Sequence, residues 1–98
     1  MFVRIHKSYR NVVAICDKEL VGKKFEEGKK QLDLRENFYK GEEANKEEVI
    51  ALILRQARED ATFNIVGEKS IAAAIEAGII TKESVARVQN IPFALTLL

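Results

Sequence analysis

The chain has 98 residues but only one cysteine, one histidine, one methionine and one proline. Each scarcity removes a class of protein. A single cysteine cannot close an internal disulfide, and one cysteine with one histidine is too few for a soft-metal site, so no metal or other cofactor is expected. One proline and five glycines exclude a collagen-like or linker-rich chain. No apolar run approaches the ~20 residues that span a bilayer, and Met1 leads directly into strand-like sequence instead of a signal peptide. No membrane contact is therefore expected.

What the chain does contain is 47% hydrophobic and 32% charged residues, an ordinary mixture for a folded soluble domain. A chain this short hides roughly 60–70% of its unfolded surface, which suffices for one core. With no linker, repeat or low-complexity stretch, residues 1–98 read as a single domain. The net charge of +1 hides an asymmetry: residues 1–40 carry ten bases against six acids, a net of +4, and residues 41–98 carry six against nine, a net of −3. Such a split can mark an anionic partner. Abundant lysine and glutamate with few Gln, Cys and Met lean toward a heat-adapted source.

Phe2–Lys7 and Val12–Cys16 alternate in polarity about Ser8-Tyr9-Arg10, which predicts an antiparallel hairpin. With a three-residue loop between Lys7 and Asn11, Val3 faces Ile15 and Ile5 faces Val13, placing four β-branched side chains on one face. A four-residue loop would set Val3 and Ile5 opposite Cys16 and Ala14, which packs worse. Residues 17–30 read as a connection that docks through Leu20, Val21 and Phe25. Gln31–Arg35 reads as a third strand with Leu32 and Leu34 inward, and Asn37–Gly41 as an aromatic turn.

Asn45-Lys46-Glu47-Glu48 has the spacing of a capping box and predicts a helix whose buried stripe is Val49, Ile50, Ile53, Leu54 and Ala57. Phe63–Gly67 reads as a short connection. A second helix comes next, over residues 68–77, with Ile71, Ala74 and Ile75 inward and Gly78 in its left-handed C-terminal position. Val85–Val88 reads as a fourth strand that Asn90-Ile91-Pro92 breaks, and Phe93–Leu98 as a terminal strand. The expected fold class is α+β: a single antiparallel sheet, made of the N-terminal hairpin and the C-terminal strands, with two helices on one face.

Few residues offer chemistry. A triad needs a base beside a nucleophile, yet His6 reads as a partly exposed strand residue. Cys16, near the opposite end of the hairpin, lies over ~10 Å from it at strand spacing. The paired acids Glu26-Glu27, Glu42-Glu43 and Glu47-Glu48 sit in solvated stretches that would not raise a carboxyl pKa. No catalytic residue is therefore assigned. No glycine spacing matches a phosphate loop, but Asn64, Gly67 and Lys69 lead into a helix whose free amides suit a phosphate or carboxylate. The bases Arg10, Lys23, Lys24, Lys29, Lys30 and Lys40, with Tyr39 and Tyr9 as stacking rings, make a candidate RNA surface.

Four segments together resemble a small archaeal family, the one known as domain of unknown function 424. They are Ala14-Ile15-Cys16-Asp17 closing the hairpin, Gly22–Gly28, Phe38-Tyr39-Lys40-Gly41-Glu42, and Asn64-Ile65-Val66-Gly67-Glu68. Asn90-Ile91-Pro92-Phe93-Ala94 is similar as well, although a histidine follows that proline in the family pattern and Phe93 stands here, so no histidine role carries over. The resemblance implies an archaeal cytoplasmic protein of compact α+β fold with no established reaction. It marks Tyr39, Gly41, Asn64 and Gly67 as family-motif residues, at a tight turn and a helix start.

The leading expectation is a non-enzymatic module that binds RNA or a ribonucleoprotein through its basic first half. The second is a protein-interaction module or homodimer joined through Phe93–Leu98 or the alanine-rich helix. The third is an enzyme or small-ligand protein using the Asn64–Lys69 helix start.

Overall fold

Strand β1 (Phe2–His6) pairs with β2 (Val12–Cys16) in the expected register, Val3 opposite Ile15 and Ile5 opposite Val13. The computed structural model describes residues 1–96; Leu97 and Leu98, the end of the expected terminal strand, lie outside them. After β2 come β3 (Lys24–Glu27), β4 (Lys30–Asp33), the single-turn helix α1 (Glu36–Tyr39), β5 (Glu42–Glu43) and helix α2 (Lys46–Arg58). The chain then runs through β6 (Thr62–Val66), helix α3 (Glu68–Ala77), β7 (Ala86–Val88) and β8 (Ile91–Thr96).

The class is α+β, but the sheet is not singly antiparallel. Six strands form one mixed sheet in the order β5-β1-β2-β6-β8-β7, and β3 and β4 form a separate two-stranded sheet. The mixing arises at one place, where β2 and β6 run parallel with Val13 beside Phe63 and Ile15 beside Ile65. The segment expected as a connection, Phe63–Gly67, is therefore a central strand through Val66, with Gly67 left as the N-cap of α3. Its polar Asn64 sits half-buried on one face between Ala14 and Leu95, while Phe63 and Ile65 are fully buried on the other. Burial of such a side chain stabilises by about 1.5–3 kcal/mol, which outweighs the poor strand propensity of one asparagine.

Both faces of the sheet are covered. Helices α2 and α3 pack Val49, Ile53, Ile71, Ala73 and Ala74 onto Val3, Val13, Ile15, Phe63 and Ile65, so two helices do share one face. On the other face Leu32, Leu34 and Tyr39 cover Ala14, Cys16, Val66 and Val88. The connection expected over residues 17–30 contains strand β3, hidden from sequence reading because only Phe25 points inward among charged neighbours.

The capping box of α2 forms as expected: Glu48 N–H donates to Asn45 Oδ1 and Asn45 N–H to Glu48 Oε1, both at 2.9 Å. Its buried arc is Val49, Ile53 and Gln56, whereas Leu54, expected inside, is 43% exposed. Gln56 takes an inward place because Asn11 Nδ2 donates to its Oε1 at 3.3 Å and its carbonyl accepts from Ala61 N–H. Gly78 closes α3 at φ +83°, as expected.

Pro92 does not break the last strands. Gln89 and Asn90 both have positive φ, the requirement of a two-residue hairpin turn, and Pro92 lies within β8 opposite Arg87. On its other side it meets Gly67, whose N–H donates to the Pro92 carbonyl at 2.9 Å. The Gly67 carbonyl is already occupied by Ile71 N–H, the first bond of α3. An amide at position 92 would have to share that carbonyl, and proline, which has no N–H, fits.

Candidate functional site

The helix start singled out as an anion site is filled by the protein itself. Asp17 follows β2 and is only 3% exposed. Its Oδ2 accepts from Lys69 N–H at 3.1 Å, and its Oδ1 accepts from Ser70 N–H at 2.9 Å and from Ser70 Oγ at 2.7 Å. Gly67, the N-cap of α3, offers no side chain, so the capping carboxylate comes from the neighbouring parallel strand instead. The positive end of the helix and its free amides favour that carboxylate for the same reasons they would favour a phosphate.

Gly67 makes room for this arrangement, because a Cβ there would lie 2.6 Å from both Asp17 carboxylate oxygens. Its φ of +108° is also one that side chains rarely adopt. Of the other two residues, Lys69 contributes its backbone amide, and Asn64 belongs to the opposite sheet face and does not reach the helix start. Asp17 was missed as a functional residue; the signal was present, since an acid ends one strand and a glycine ends the other, but their pairing depends on the parallel register of β2 and β6.

The candidate RNA residues are not gathered onto one surface. Arg10 lies in the β1–β2 loop, at the sheet end where Val12 pairs with Thr62. Lys29 and Lys30 lie at the β3–β4 turn, which is tied to the opposite end: Gln89 N–H donates to Glu27 Oε1 at 2.7 Å and Gln89 Nε2 to the Glu26 carbonyl at 2.6 Å. Lys23, bonded to the Leu20 carbonyl, precedes β3 and Lys24 begins it, and the Lys40 carbonyl accepts from Arg4 at the β1 edge. Acids are interleaved, with Lys24 3.4 Å from Glu26 and Arg35 3.0 Å from Asp33. Tyr39 is 9% exposed within the second core, so its ring is withdrawn from stacking on a base. Tyr9, at the hairpin tip between exposed Lys7 and Arg10, is fully exposed.

His6 and Cys16 stay apart at opposite ends of the β1–β2 ladder, opposite Val12 and Phe2 respectively. His6 Nε2 lies 2.9 Å from the Phe38 carbonyl, and its ring stacks on Phe38 at 4.4 Å between centroids. Cys16 is fully buried. Burial first, then the nearby Asp17 and Glu19, push its thiol up from the ordinary 9.0 to about 12. Burial, then Cys16, raises the Tyr39 hydroxyl from 10.0 to about 12. Both groups are neutral when folded and ionise at lower pH when unfolded. Their contribution to stability is thus complete below about pH 9 and is lost as pH rises toward about 12. Urea midpoints should fall across that window, and Cys16→Ala should flatten the fall. Among the described residues no group of three His, Cys, Asp or Glu could hold a metal ion, and no helix is long and apolar enough to cross a membrane.

A family model described as "Protein of unknown function (DUF424)" matches residues 5–97. Among solved structures, a match covers 97% of this chain and 88% of the other at 21% identity, with a TM-score of 0.87: the crystal structure of an uncharacterized conserved protein from Methanopyrus kandleri. At that identity the likeness shows a shared fold. No curated protein matches this chain.

Proposed function

The chain belongs to the DUF424 family, and from that premise we propose that it is a non-enzymatic module of the archaeal cytoplasm that binds RNA or a ribonucleoprotein. The basic residues do not make the broad surface first expected, so the contact narrows to the β1–β2 hairpin tip. The observation that carries this reading is Tyr9, an aromatic side chain fully exposed at the hairpin tip between Lys7 and Arg10. An exposed ring is a stacking platform for an unpaired base, and cations on either side suit the adjoining phosphates.

Titration of a fluorescent single-stranded RNA at several salt concentrations tests it. Affinity should fall as salt rises, and Tyr9→Ala should remove about 1–3 kcal/mol, the usual contribution of one base–aromatic stack. Binding that ignores both salt and the loss of Tyr9 would reject the reading.

A second reading, docking to a protein or to another copy without nucleic acid, is favoured by Leu95. It is 65% exposed on β8, on the sheet face shared with Asn64. Sedimentation would separate the two readings: association that Leu95→Lys abolishes supports protein docking.

A further inference from the structure

Strand β1 is only partly covered by its outer neighbour. β5 pairs with Phe2 and Val3, and Met1 exchanges both backbone bonds with Ala44, at 2.8 and 3.1 Å. Strand parity decides which backbone groups of β1 face outward. On the β2 side, Asp17 N–H donates to Val66 and the Asn11 carbonyl accepts from Thr62 N–H. Odd residues of β2 therefore turn toward β6 and even ones toward β1. The even residues of β1 answer them, so Met1, Val3 and Ile5 direct their N–H and C=O outward. β5 meets the first two. It stops short of the third because the chain before Gly41 comes from α1, and among the described residues the outward N–H and C=O of Ile5 have no partner.

Beside this open edge lies a cleft of about 730 Å³ between β1 and α2. Val3, Ile5, Ala44 and Leu52 give it an apolar floor, with Lys40 and Arg55 at its rim. Three carboxylates line it as well: Glu43, which pairs with Lys18 at 3.1 Å, Glu48, which accepts from Asn45 N–H, and Glu42 opposite Val3. Arg4, on the opposite sheet face from Val3 and Ile5, stands over the same edge with its guanidinium on the Lys40 carbonyl. Charged side chains on an edge strand normally guard against pairing. Here Arg4 and Lys7 repel a second β1, while the segment the edge does accept, Glu42-Glu43, is acidic.

We propose that the open edge at Ile5 binds an extended, acidic segment of a partner protein, continuing the line of β5 by strand addition. Alternate side chains of that segment point to opposite faces. Apolar ones enter the cleft beside Ile5 and Leu52, and acidic ones face Arg4. This site shares only Lys7 with the hairpin tip and does not use Tyr9, so its failure leaves the RNA reading intact.

The probe is a synthetic octapeptide of alternating valine and aspartate, added to isotope-labelled protein and followed by amide spectra and hydrogen exchange. Shifts centred on Ile5 and Lys7, with slowed exchange of the Ile5 amide, are the expected result. The same peptide N-methylated at alternate amides, and an isomer with its valines and aspartates in two blocks, should not reproduce it. Leu52→Lys should weaken binding about tenfold or more, and Tyr9→Ala should leave it unchanged. No response at Ile5 with millimolar peptide, or equal binding of the N-methylated form, would overturn the proposal.

Discussion

Replacing Asp17 by alanine is expected to cost about 3–4 kcal/mol of folding stability and to lower Tm by about 12–30 °C. The side chain removed accepts three hydrogen bonds at the start of α3. Hydrogen bonds to a charged acceptor contribute about 1.5–3 kcal/mol each, less than additively when shared by one group. Ser70 is fully buried, so its N–H and hydroxyl would lose their partner without gaining solvent. Asp17→Asn keeps an acceptor for Ser70 and should lose about half as much. Thermal unfolding of the two variants checks the order; a loss under about 1 kcal/mol for alanine would mean that water satisfies the helix start equally well.

Gly67→Ala should be comparably damaging, for a reason that a double-mutant cycle can isolate. Two costs combine: backbone strain of about 1–3 kcal/mol at φ +108° and ψ 156°, and the overlap of a new Cβ with the Asp17 carboxylate. Only the second depends on Asp17. In an Asp17→Ala background the overlap disappears, so the cost of Gly67→Ala should fall by about 1–2 kcal/mol. Urea unfolding of all four variants, in sucrose to keep the double variant folded, provides the comparison. Strict additivity would show that the carboxylate moves aside freely and that the two residues are not coupled.

Reading the sequence succeeded where the determinants are local. The β1–β2 register follows from alternation about a three-residue loop, the start of α2 from Asn45 and Glu48, and the end of α3 from Gly78. It failed where a partner lies far along the chain. Thr62–Val66 contains an asparagine and leads into a glycine, and nothing within those residues reveals that β2 lies alongside. β3 contributes one inward side chain, too few for a period to be visible. Tyr39 and Tyr9 looked equally available to a nucleic acid, and only the fold of β3, β4 and α1 over the sheet separates the buried ring from the exposed one. The basic residues were legible as a count but not as a place. Their scatter depends on the β3–β4 turn reaching Gln89, a contact between positions about sixty residues apart. At the helix start, the amides expected to meet a ligand are taken by the Asp17 carboxylate, a partner about fifty residues away that no local pattern reveals.

The parallel pairing of β2 with β6 also governs the order in which the polypeptide can assemble. The N-terminal hairpin closes between neighbouring residues, but its inner strand waits for a mate that arrives only after β3, β4, α1, β5 and α2 have been made. During synthesis on a ribosome, Val13 and Ile15 would emerge long before Phe63 and Ile65 arrive to cover that flank. Non-local closure of this kind slows collapse to the native state, and a nascent chain halted before residue 62 presents an unsatisfied strand border to whatever surrounds it.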